Sequence, residues 1–199
     1  MYKRQRKYIS SVTVASAYDA WTQDKLLERL WGEHIHLGFY PLGKKNTDFR
    51  KAKIQFVHEL VKWSGLDKLP QGSRILDVGC GIGGSSRILA KYYGFNVTGI
   101  TISPAQVKRA RELTPSGLSC NFQVMDALDL KFEDGSFDAI WSVEAGAHMN
   151  DKNKFADEML RTLRPGGYLA LADWNSRDLN AYPPSFIEKL VLKQLLEQW

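Results

Sequence analysis

A glycine-rich segment at residues 75–86, ILDVGCGIGGSS, has the composition of a loop that binds an adenosine-containing ligand. Its glycines fit two patterns. Gly79, Gly81 and Gly84 match G-x-G-x-x-G, the dinucleotide fingerprint of hydride-transfer enzymes. The loop that holds the methyl donor S-adenosylmethionine is matched by Asp77, Gly79, Gly81 and Gly83. In both patterns glycine lets the backbone turn tightly and approach the ligand closely, so the glycines alone leave both chemistries open.

The end of the second predicted strand favours the methyl donor. A site for NAD requires an acidic residue about 20 residues beyond the glycines, where it binds the ribose hydroxyl. The chain has Gly99, Ile100 and Thr101 there, without a carboxylate. Lys108 and Arg109 come later, in the following helix, which is too far along the chain for an NADP site. An NADP oxidoreductase is therefore a distant alternative.

Polar residues also end the other predicted strands. Asp77 ends the first strand, and a buried carboxylate needs a partner such as the sulfonium and ammonium groups of the methyl donor. Asp126 ends the third strand, and the fourth ends with Ser142, Val143 and Glu144. Strand-end capping would explain each residue separately. Together, at the edge where open α/β sheets bind ligands, they favour a ligand site.

The elements that position these residues alternate from Arg74 onward. Apolar strand patterns and capped helix patterns follow one another, which predicts an α/β fold with a doubly wound, Rossmann-like parallel sheet. Strands are predicted at 74–79, 95–101, 118–126, 137–144 and 166–174, and helices at 85–94, 103–114 and 151–163. Further helices are predicted at 12–31 and 48–65 and at 183–199, where an unfinished amphipathic face suggests that the natural chain continues.

Composition narrows the class of protein. The chain has 199 residues, of which 44% are hydrophobic and 25% charged, which indicates one folded domain. It has no secretory signal and no apolar run near the ~18 residues of a membrane-spanning helix. Two cysteines, Cys80 and Cys120, lack metal-type spacing and predict a reducing compartment without structural zinc. Residues 38–44, GFYPLGK, resemble a phosphate-binding loop, but Lys45 follows where Ser or Thr is needed.

The net charge of +5 is concentrated in the first seven residues. A solvated tail explains this cluster, and contact with an anionic membrane surface is the functional alternative. No basic stripe interleaved with aromatic residues follows it, so nucleic-acid binding is not expected. The basic residues concerned are Lys3, Arg4, Arg6 and Lys7.

Several longer stretches resemble the tocopherol-pathway C-methyltransferases. They are LWGEHIHLGFY (30–40), ILDVGCGIGGSSRILA (75–90), GITISPAQVKRA (99–110), FEDGSFDAIWSVEAGAHMNDKNKF (132–155), LRPGG (163–167) and LADWNSRDL (171–179). The resemblance covers the chain from about residue 11 to its end. It implies a class I methyltransferase fold, S-adenosylmethionine as methyl donor, and a 2-methyl-6-phytyl- or solanyl-benzoquinol as acceptor in tocopherol and plastoquinone synthesis. It also implies further C-terminal sequence.

The resemblance transfers roles in binding the methyl donor residue by residue. The loop that holds the donor corresponds to Asp77, Gly79, Cys80, Gly81 and Gly83, and the end of the second strand to Thr101, Ile102 and Gln106. The adenine contact corresponds to Asp126 and Ala127. The strand end beneath the donor corresponds to Ser142 and Val143. In this branch a threonine and a glutamine replace the usual ribose-binding acid.

Methylation of a hydroquinol ring requires a base that removes a phenolic proton. The candidates are Glu144, His148, His34 and His36. His148 follows Glu144 by four residues, so a helical turn would pair them, whereas a capping role for His148 is equally compatible. His34 and His36 belong either to a surface loop or to a lid over the crevice. For the sulfonium, Tyr40 and Trp141 are candidate aromatic contacts, although either fits a packing role.

The resemblance also predicts an organisation and a setting. Residues 1–70 form a helical cap or lid, and residues 71–199 form the domain that binds the methyl donor. We expect a lipophilic prenylquinol substrate, no resident metal, and a location on the cytoplasmic side, peripheral to a membrane of the thylakoid or plasma type. The oligomeric state is left open. The alternatives are a γ-tocopherol, sterol or small-amine methyltransferase of this branch, or a binding module without catalysis.

Overall fold

The computed structural model describes residues 11–42, 48–175, 183 and 185–188. A five-stranded parallel sheet lies at its centre, with strands in the order β3-β2-β1-β4-β5. The strands are β1 (Arg74–Val78), β2 (Asn96–Thr101), β3 (Cys120–Val124), β4 (Phe137–Val143) and β5 (Leu163–Ala172). Between β1 and β4 the order reverses, and such a switch point opens a crevice at the carboxyl ends of the strands.

Six helices surround the sheet in the described part of the chain. They are α1 (Ser11–Gln23), α2 (Leu26–Trp31), α3 (Phe49–Ser64), α4 (Gly84–Tyr93), α5 (Pro104–Leu113) and α6 (Lys152–Thr162). Local capping explains where most of them begin. The side chains of Asp48, Ser103 and Asp151 accept hydrogen bonds from backbone N–H groups in the first turns of α3, α5 and α6. Gly65 and Gly94 end α3 and α4 in the left-handed conformation.

Two apolar clusters hold the layers together on opposite faces of the sheet. Adjacent β1 residues Ile75 and Leu76 belong to different clusters, as alternation along a strand requires. The first cluster joins β1 to α3 and α4, and the second joins it to α6 through Phe155 and Met159. Helix α3 lies within the predicted 1–70 cap, but its Val57 is completely buried in this core, so α3 supports the sheet. Within the predicted cap, residues 11–42 are therefore the described segment that can cover the crevice.

The predicted doubly wound sheet and its order of strands and helices are confirmed, with two corrections. The helix predicted at 12–31 is two helices, because Lys25 has a left-handed backbone (φ 52°) between α1 and α2. The linker after Gly65 contains a short 3-10 turn at Leu66–Lys68. The basic cluster at residues 3–7, residues 43–45 of the rejected phosphate loop and most of the predicted 183–199 helix lie outside the described residues.

Within the described residues, none of the helices has the length and apolar character needed to span a bilayer.

Candidate functional site

A cavity of about 740 Å³ opens at the carboxyl ends of β1, β2 and β4. Its size lies within the ~300–1,000 Å³ of typical ligand pockets. The sheet side contributes the glycine loop and the strand ends, and the opposite side is closed by α1, by residues 33–36 and by the loop that follows β4. The switch-point crevice is therefore a covered chamber with two chemically different sides.

The glycine loop leaves room for a ligand at the chamber floor. Gly79, Gly81 and Gly83 all have left-handed backbones, with φ of 78°, 54° and 80°. A side chain at Gly79 would collide with the Ala145 side chain, whereas at Gly81 the corresponding space is open. Gly79 and Gly81 line the chamber. Gly83 lies outside the chamber lining and close to Phe122, where a β-carbon would lie 2.6 Å from the ring, and its contact with the methyl donor stays a prediction.

Asp77 is the charged group beneath this loop. It is 2% exposed, lines the chamber, and accepts a hydrogen bond of 2.5 Å from the Ser86 hydroxyl to its Oδ2. Burial raises the pKa of this carboxyl to about 7, and the Ser86 hydrogen bond counteracts part of that rise. A cation in the chamber would favour the ionised form, so Asp77 suits the positive methionine end of a sulfonium donor.

The end of β2 carries a compact polar network. The Thr101 hydroxyl donates to Gln106 Oε1 at 2.6 Å, and the Ser103 hydroxyl accepts from the Gln106 backbone N–H at 3.1 Å. Thr101, Ile102 and Gln106 line the chamber together. Hydroxyl and amide groups at this position can bind ribose hydroxyls without a carboxylate.

The segment after β3 forms the next part of the wall. Asp126 and Ala127 both line the chamber, and Asp126 Oδ1 accepts a hydrogen bond of 2.9 Å from the backbone N–H of Leu128. This bond fixes the carboxylate by a local turn and leaves it half-buried. Both residues therefore face the chamber, and their contact with adenine stays a prediction.

The end of β4 divides its residues between chamber and core. Val143 lines the chamber, whereas Ser142 is completely buried outside the lining and donates from its hydroxyl to the Val78 carbonyl at 3.0 Å. This bond ties β4 to β1, and the contact of Ser142 with the methyl donor stays a prediction. Trp141 lines the chamber but packs in the core, and its indole N–H has no partner among the described residues. Tyr40, the other aromatic candidate, is 52% exposed and lies outside the chamber lining.

Glu144 and His148 both line the chamber, but the predicted Glu–His pair does not form through a helical turn. Glu144 has a left-handed backbone (φ 52°), and only Gly146–His148 forms a short 3-10 turn. The Glu144 carboxylate accepts a hydrogen bond of 3.0 Å from the backbone N–H of Leu37. Glu144 therefore fastens the covering loop, and His148 has a different partner.

That partner is Tyr18 of α1, which the sequence analysis did not identify as functional. The Tyr18 hydroxyl lies 2.8 Å from His148 Nε2, and both side chains line the chamber. Burial lowers the pKa of His148, so the imidazole is neutral at neutral pH and can accept the phenol proton. Burial and the nearby Glu144 carboxylate raise the pKa of Tyr18. The only sequence signal was the position of Tyr18 on the apolar side of a helix, which equally suits packing.

His34 and His36 form a buried pair, not part of a surface loop. They are 9% and 8% exposed, and His34 Nδ1 lies 3.1 Å from His36 Nε2. His36 Nδ1 must donate to the Leu37 carbonyl at 2.7 Å, so its Nε2 accepts from His34 and both of its nitrogens are engaged. Burial lowers both pKa values, that of His34 to about 3. Both rings line the chamber, but His36 has no nitrogen left for a base and His34 is a weak one.

Further polar contacts fasten the covering segment to the sheet side. Asp19 of α1 accepts from the Ser103 hydroxyl at 2.5 Å and from the Ala105 backbone N–H at 3.1 Å. Two ion pairs reinforce this contact, at 2.7 Å between Arg109 and Glu28 and at 2.6 Å between Arg87 and Glu33. Asp19 meets the same Ser103 hydroxyl that caps α5, so the cover is connected to the Thr101–Gln106 network.

The two thiols are not activated, and the described residues do not form a metal site. Cys80 lines the chamber and Cys120 lies beside it in one apolar cluster, and burial raises the pKa of both thiols, so neither is a ready nucleophile. Within residues 11–42 and 48–175, no three histidine, cysteine or acidic side chains are grouped as metal ligands.

Comparison with known proteins identifies the family. A family model described as "Methyltransferase domain" matches residues 76–171. The chain is 61% identical to 2-methyl-6-phytyl-1,4-hydroquinone methyltransferase of Synechocystis sp., over 98% of this chain and 61% of that protein. It is 42% identical to the chloroplastic tocopherol O-methyltransferase of Arabidopsis thaliana, over 78% of this chain and 48% of that protein. The chain thus spans three-fifths and about half of these two relatives.

More distant relatives share the fold. Norajmaline N-methyltransferase of Rauvolfia serpentina is 33% identical over 99% of this chain and 68% of that protein. Among solved structures, the [4+2]-cyclase SpnF superposes with a TM-score of 0.71 at 30% identity, over 80% of this chain and 58% of its own. A putative sarcosine dimethylglycine methyltransferase from Galdieria sulphuraria gives 0.69 at 30% identity, over 76% and 58%. The chain therefore belongs to the class I S-adenosylmethionine-dependent methyltransferases, in the branch that contains the tocopherol-pathway enzymes.

Proposed function

We propose that this protein methylates a ring carbon of a prenylated hydroquinol of the 2-methyl-6-phytyl- or solanyl-benzoquinol type, with S-adenosylmethionine as methyl donor. The observation that carries the proposal is the chamber with two chemically different sides. One side presents Asp77 and the Thr101–Gln106 network, and the other presents the hydrogen-bonded pair of Tyr18 and His148. The identity to the Synechocystis enzyme over almost the whole chain supports the choice of acceptor.

The sheet side fits the methyl donor in three parts. The buried carboxylate of Asp77 suits the cationic methionine end, Thr101 and Gln106 suit the ribose, and Asp126 suits the adenine amine. The open space at Gly81 allows the backbone to approach the ligand. When bound, S-adenosylmethionine supplies an electrophilic methyl group on sulfur.

The cover side fits the acceptor and its proton. We assign Tyr18 and His148 as the groups that remove a phenolic proton: Tyr18 oxygen accepts it while its own proton passes to His148 Nε2. Asp173, whose negative charge raises the pKa of His148, stabilises the imidazolium that forms. The resulting phenolate raises the electron density on the adjacent ring carbon. This carbon bonds to the methyl group of the donor as the bond between that methyl group and sulfur breaks, which leaves S-adenosylhomocysteine. The methylated ring carbon then loses its proton to solvent, and the phenolate oxygen regains the proton held by His148, which restores the aromatic hydroquinol and the neutral base.

The rim of the chamber suits a long apolar chain. Trp21, Ile35 and Trp174 line the chamber and are 52%, 36% and 64% exposed. Within residues 30–42, further apolar side chains are exposed, namely Leu30, Trp31, Leu37, Phe39, Tyr40 and Leu42. We propose that the prenyl tail leaves the chamber here and that this surface makes peripheral contact with a membrane. Flotation with vesicles of anionic lipid tests this contact. Trp21→Ser with Trp174→Ser should reduce association, and Trp63→Ser, at an exposed tryptophan outside the chamber lining, should not.

The decisive experiment compares acceptors with labelled S-adenosylmethionine. The full-length protein should transfer methyl groups to 2-methyl-6-phytyl-benzoquinol and 2-methyl-6-solanyl-benzoquinol, and product analysis should locate the new methyl on ring carbon. Transfer to γ-tocopherol, to a sterol or to a small amine instead would overturn the choice of acceptor and leave the methyltransferase family intact.

Two observations are the reason to test other acceptors and other reactions in the same experiment. The tocopherol O-methyltransferase and norajmaline N-methyltransferase relatives act, by their names, on oxygen and nitrogen. The SpnF structure is named as a cyclase although it has this fold, so fold alone does not fix the reaction. Tight binding of S-adenosylhomocysteine without transfer to any acceptor would indicate a binding module. Consumption of NADPH, followed by absorbance, would indicate the oxidoreductase alternative.

A further inference from the structure

Asp77 occupies an apolar position where a carboxylate is difficult to keep ionised. Its neighbours in the sheet register are Gly99 on β2 and Trp141 on β4, which offer no charged partner. In the part of the chain that the structure describes, the Ser86 hydroxyl is the one side-chain group that hydrogen-bonds this carboxylate. Ionisation of Asp77 in the empty chamber therefore depends on a single neutral donor.

Ser86 is held rigidly in place for that contact. It is the third residue of α4, is completely buried, and its carbonyl accepts the Cys120 thiol at 3.4 Å. The residues that follow it in α4, Ile88 and Leu89, pack in the core. The helix therefore fixes the hydroxyl, and the hydroxyl occupies Oδ2 of Asp77 while the carboxylate lines the chamber.

We propose that Ser86 is a positioning residue, which keeps Asp77 ionised and turns its second oxygen toward the cationic end of the methyl donor. The proposal rests on the proposed binding of S-adenosylmethionine. Ser86 itself is outside the chamber lining and does not contact the ligand. Its effect passes through the carboxylate alone.

The physical consequence is a pH dependence of donor binding. A hydrogen bond to the charged form of an acid favours that form, so removing the Ser86 hydroxyl raises the pKa of Asp77 further above the value near 7 that burial produces. Near pH 7 the carboxyl is then mostly protonated and offers no charge to the ligand. At higher pH it ionises again, and the affinity returns.

The test is a titration of S-adenosylhomocysteine by calorimetry between about pH 6 and pH 8.5. For Ser86→Ala, a rise of one unit in the pKa of Asp77 from about 7 predicts binding about fivefold weaker than wild type at pH 7. Toward pH 6, where Asp77 is mostly protonated in both proteins, the loss should approach about tenfold. Most of this loss should disappear at the highest pH. Ser86→Thr, which keeps a hydroxyl, should restore the wild-type profile. Asp77→Asn should bind weakly at every pH.

The matched control is Ser73→Ala. Ser73 is also buried, and its hydroxyl donates to the Pro70 carbonyl at 2.7 Å, away from the chamber. Its pH profile should match wild type. Equal weakening of Ser86→Ala at all pH values, with no rescue by threonine, would overturn the proposal and assign Ser86 to packing. If Ser86→Ala fails to fold, the comparison of Ser86→Cys with Ser86→Thr decides in the same way. Absence of binding by wild type would instead refute the proposed function.

Discussion

The hydrogen bond between Tyr18 and His148 allows a direct test of the acceptor side of the site. Replacing Tyr18 by phenylalanine removes the hydroxyl that lies 2.8 Å from His148 Nε2. The ring remains, and with it the edge contacts to Trp21 and His148, at 5.4 and 5.5 Å between ring centroids. Tyr18→Phe therefore interrupts the proposed proton path without leaving a cavity.

The structure separates the expected effects on stability and on turnover. Because the apolar area stays buried, the free energy of unfolding should fall by no more than one hydrogen bond is worth, ~0.5–1.5 kcal/mol. Positioned acid–base groups contribute ~10²–10⁴-fold to rate, and His148 remains as a less well aligned base, so we expect about a 10²-fold loss of single-turnover rate. Affinity for S-adenosylhomocysteine should not change, since the Tyr18 hydroxyl bonds to His148.

The assay is single-turnover transfer of labelled methyl to 2-methyl-6-phytyl-benzoquinol, followed across pH. Burial lowers the pKa of His148, so its neutral, proton-accepting form persists through neutral pH. The wild-type rate should therefore stay level there and fall only as the pH drops below the usual histidine range near ~6.5. Tyr40→Phe, an exposed tyrosine outside the chamber lining, is the control and should retain full rate. A wild-type single-turnover rate in Tyr18→Phe would refute the proton path.

Three further perturbations test the remaining parts of the site. Asp77→Asn should abolish tight donor binding. Without ligand, the variant should become more stable than wild type as the pH rises from about 4 to 7, because the raised pKa of Asp77 means that its ionisation opposes folding in that range. Thermal unfolding measured across pH checks the sign of this difference. Gly79→Ala, which combines a left-handed backbone with a collision at Ala145, should destabilise more than Gly117→Ala, where the backbone is equally left-handed but the space is open; denaturant unfolding compares them. Asp19→Ala, which deletes both bonds to the start of α5, should speed amide exchange in α1 and weaken donor binding; unchanged exchange would contradict a role in closing the chamber.

Local features explain why the fold could be predicted so fully from the sequence. The caps Asp48, Ser103 and Asp151 act within three residues along the chain, and each begins its helix as predicted. The break between α1 and α2 could not be predicted in this way, because Lys25 adopts its left-handed backbone without a side-chain cap or a glycine to mark it.

Contacts distant in sequence limited the prediction of the site. Asp77, Thr101 and Asp126 could be identified because each lies at a strand end, and parallel strands bring their carboxyl ends to one edge. Tyr18 and His148 are 130 residues apart, and neither pattern nor spacing relates them. The four-residue spacing of Glu144 and His148 predicted a helical turn, but the left-handed backbone at Glu144 directs its carboxylate to the covering loop instead.

The two adjacent residues Tyr18 and Asp19 connect the sides of the chamber. Tyr18 faces His148, and Asp19 bonds to Ser103, which caps the helix that carries Gln106 of the donor wall. Because Tyr18 and Asp19 are neighbours on α1, the bonds of Asp19 to α5 help to hold Tyr18 at His148. A ligand that orders Thr101 and Gln106 therefore favours the seated helix and completes the proton path. If S-adenosylmethionine binds this wall as proposed, we therefore expect it to bind before the acceptor, because ordering of the wall favours the position of α1 in which Tyr18 reaches His148.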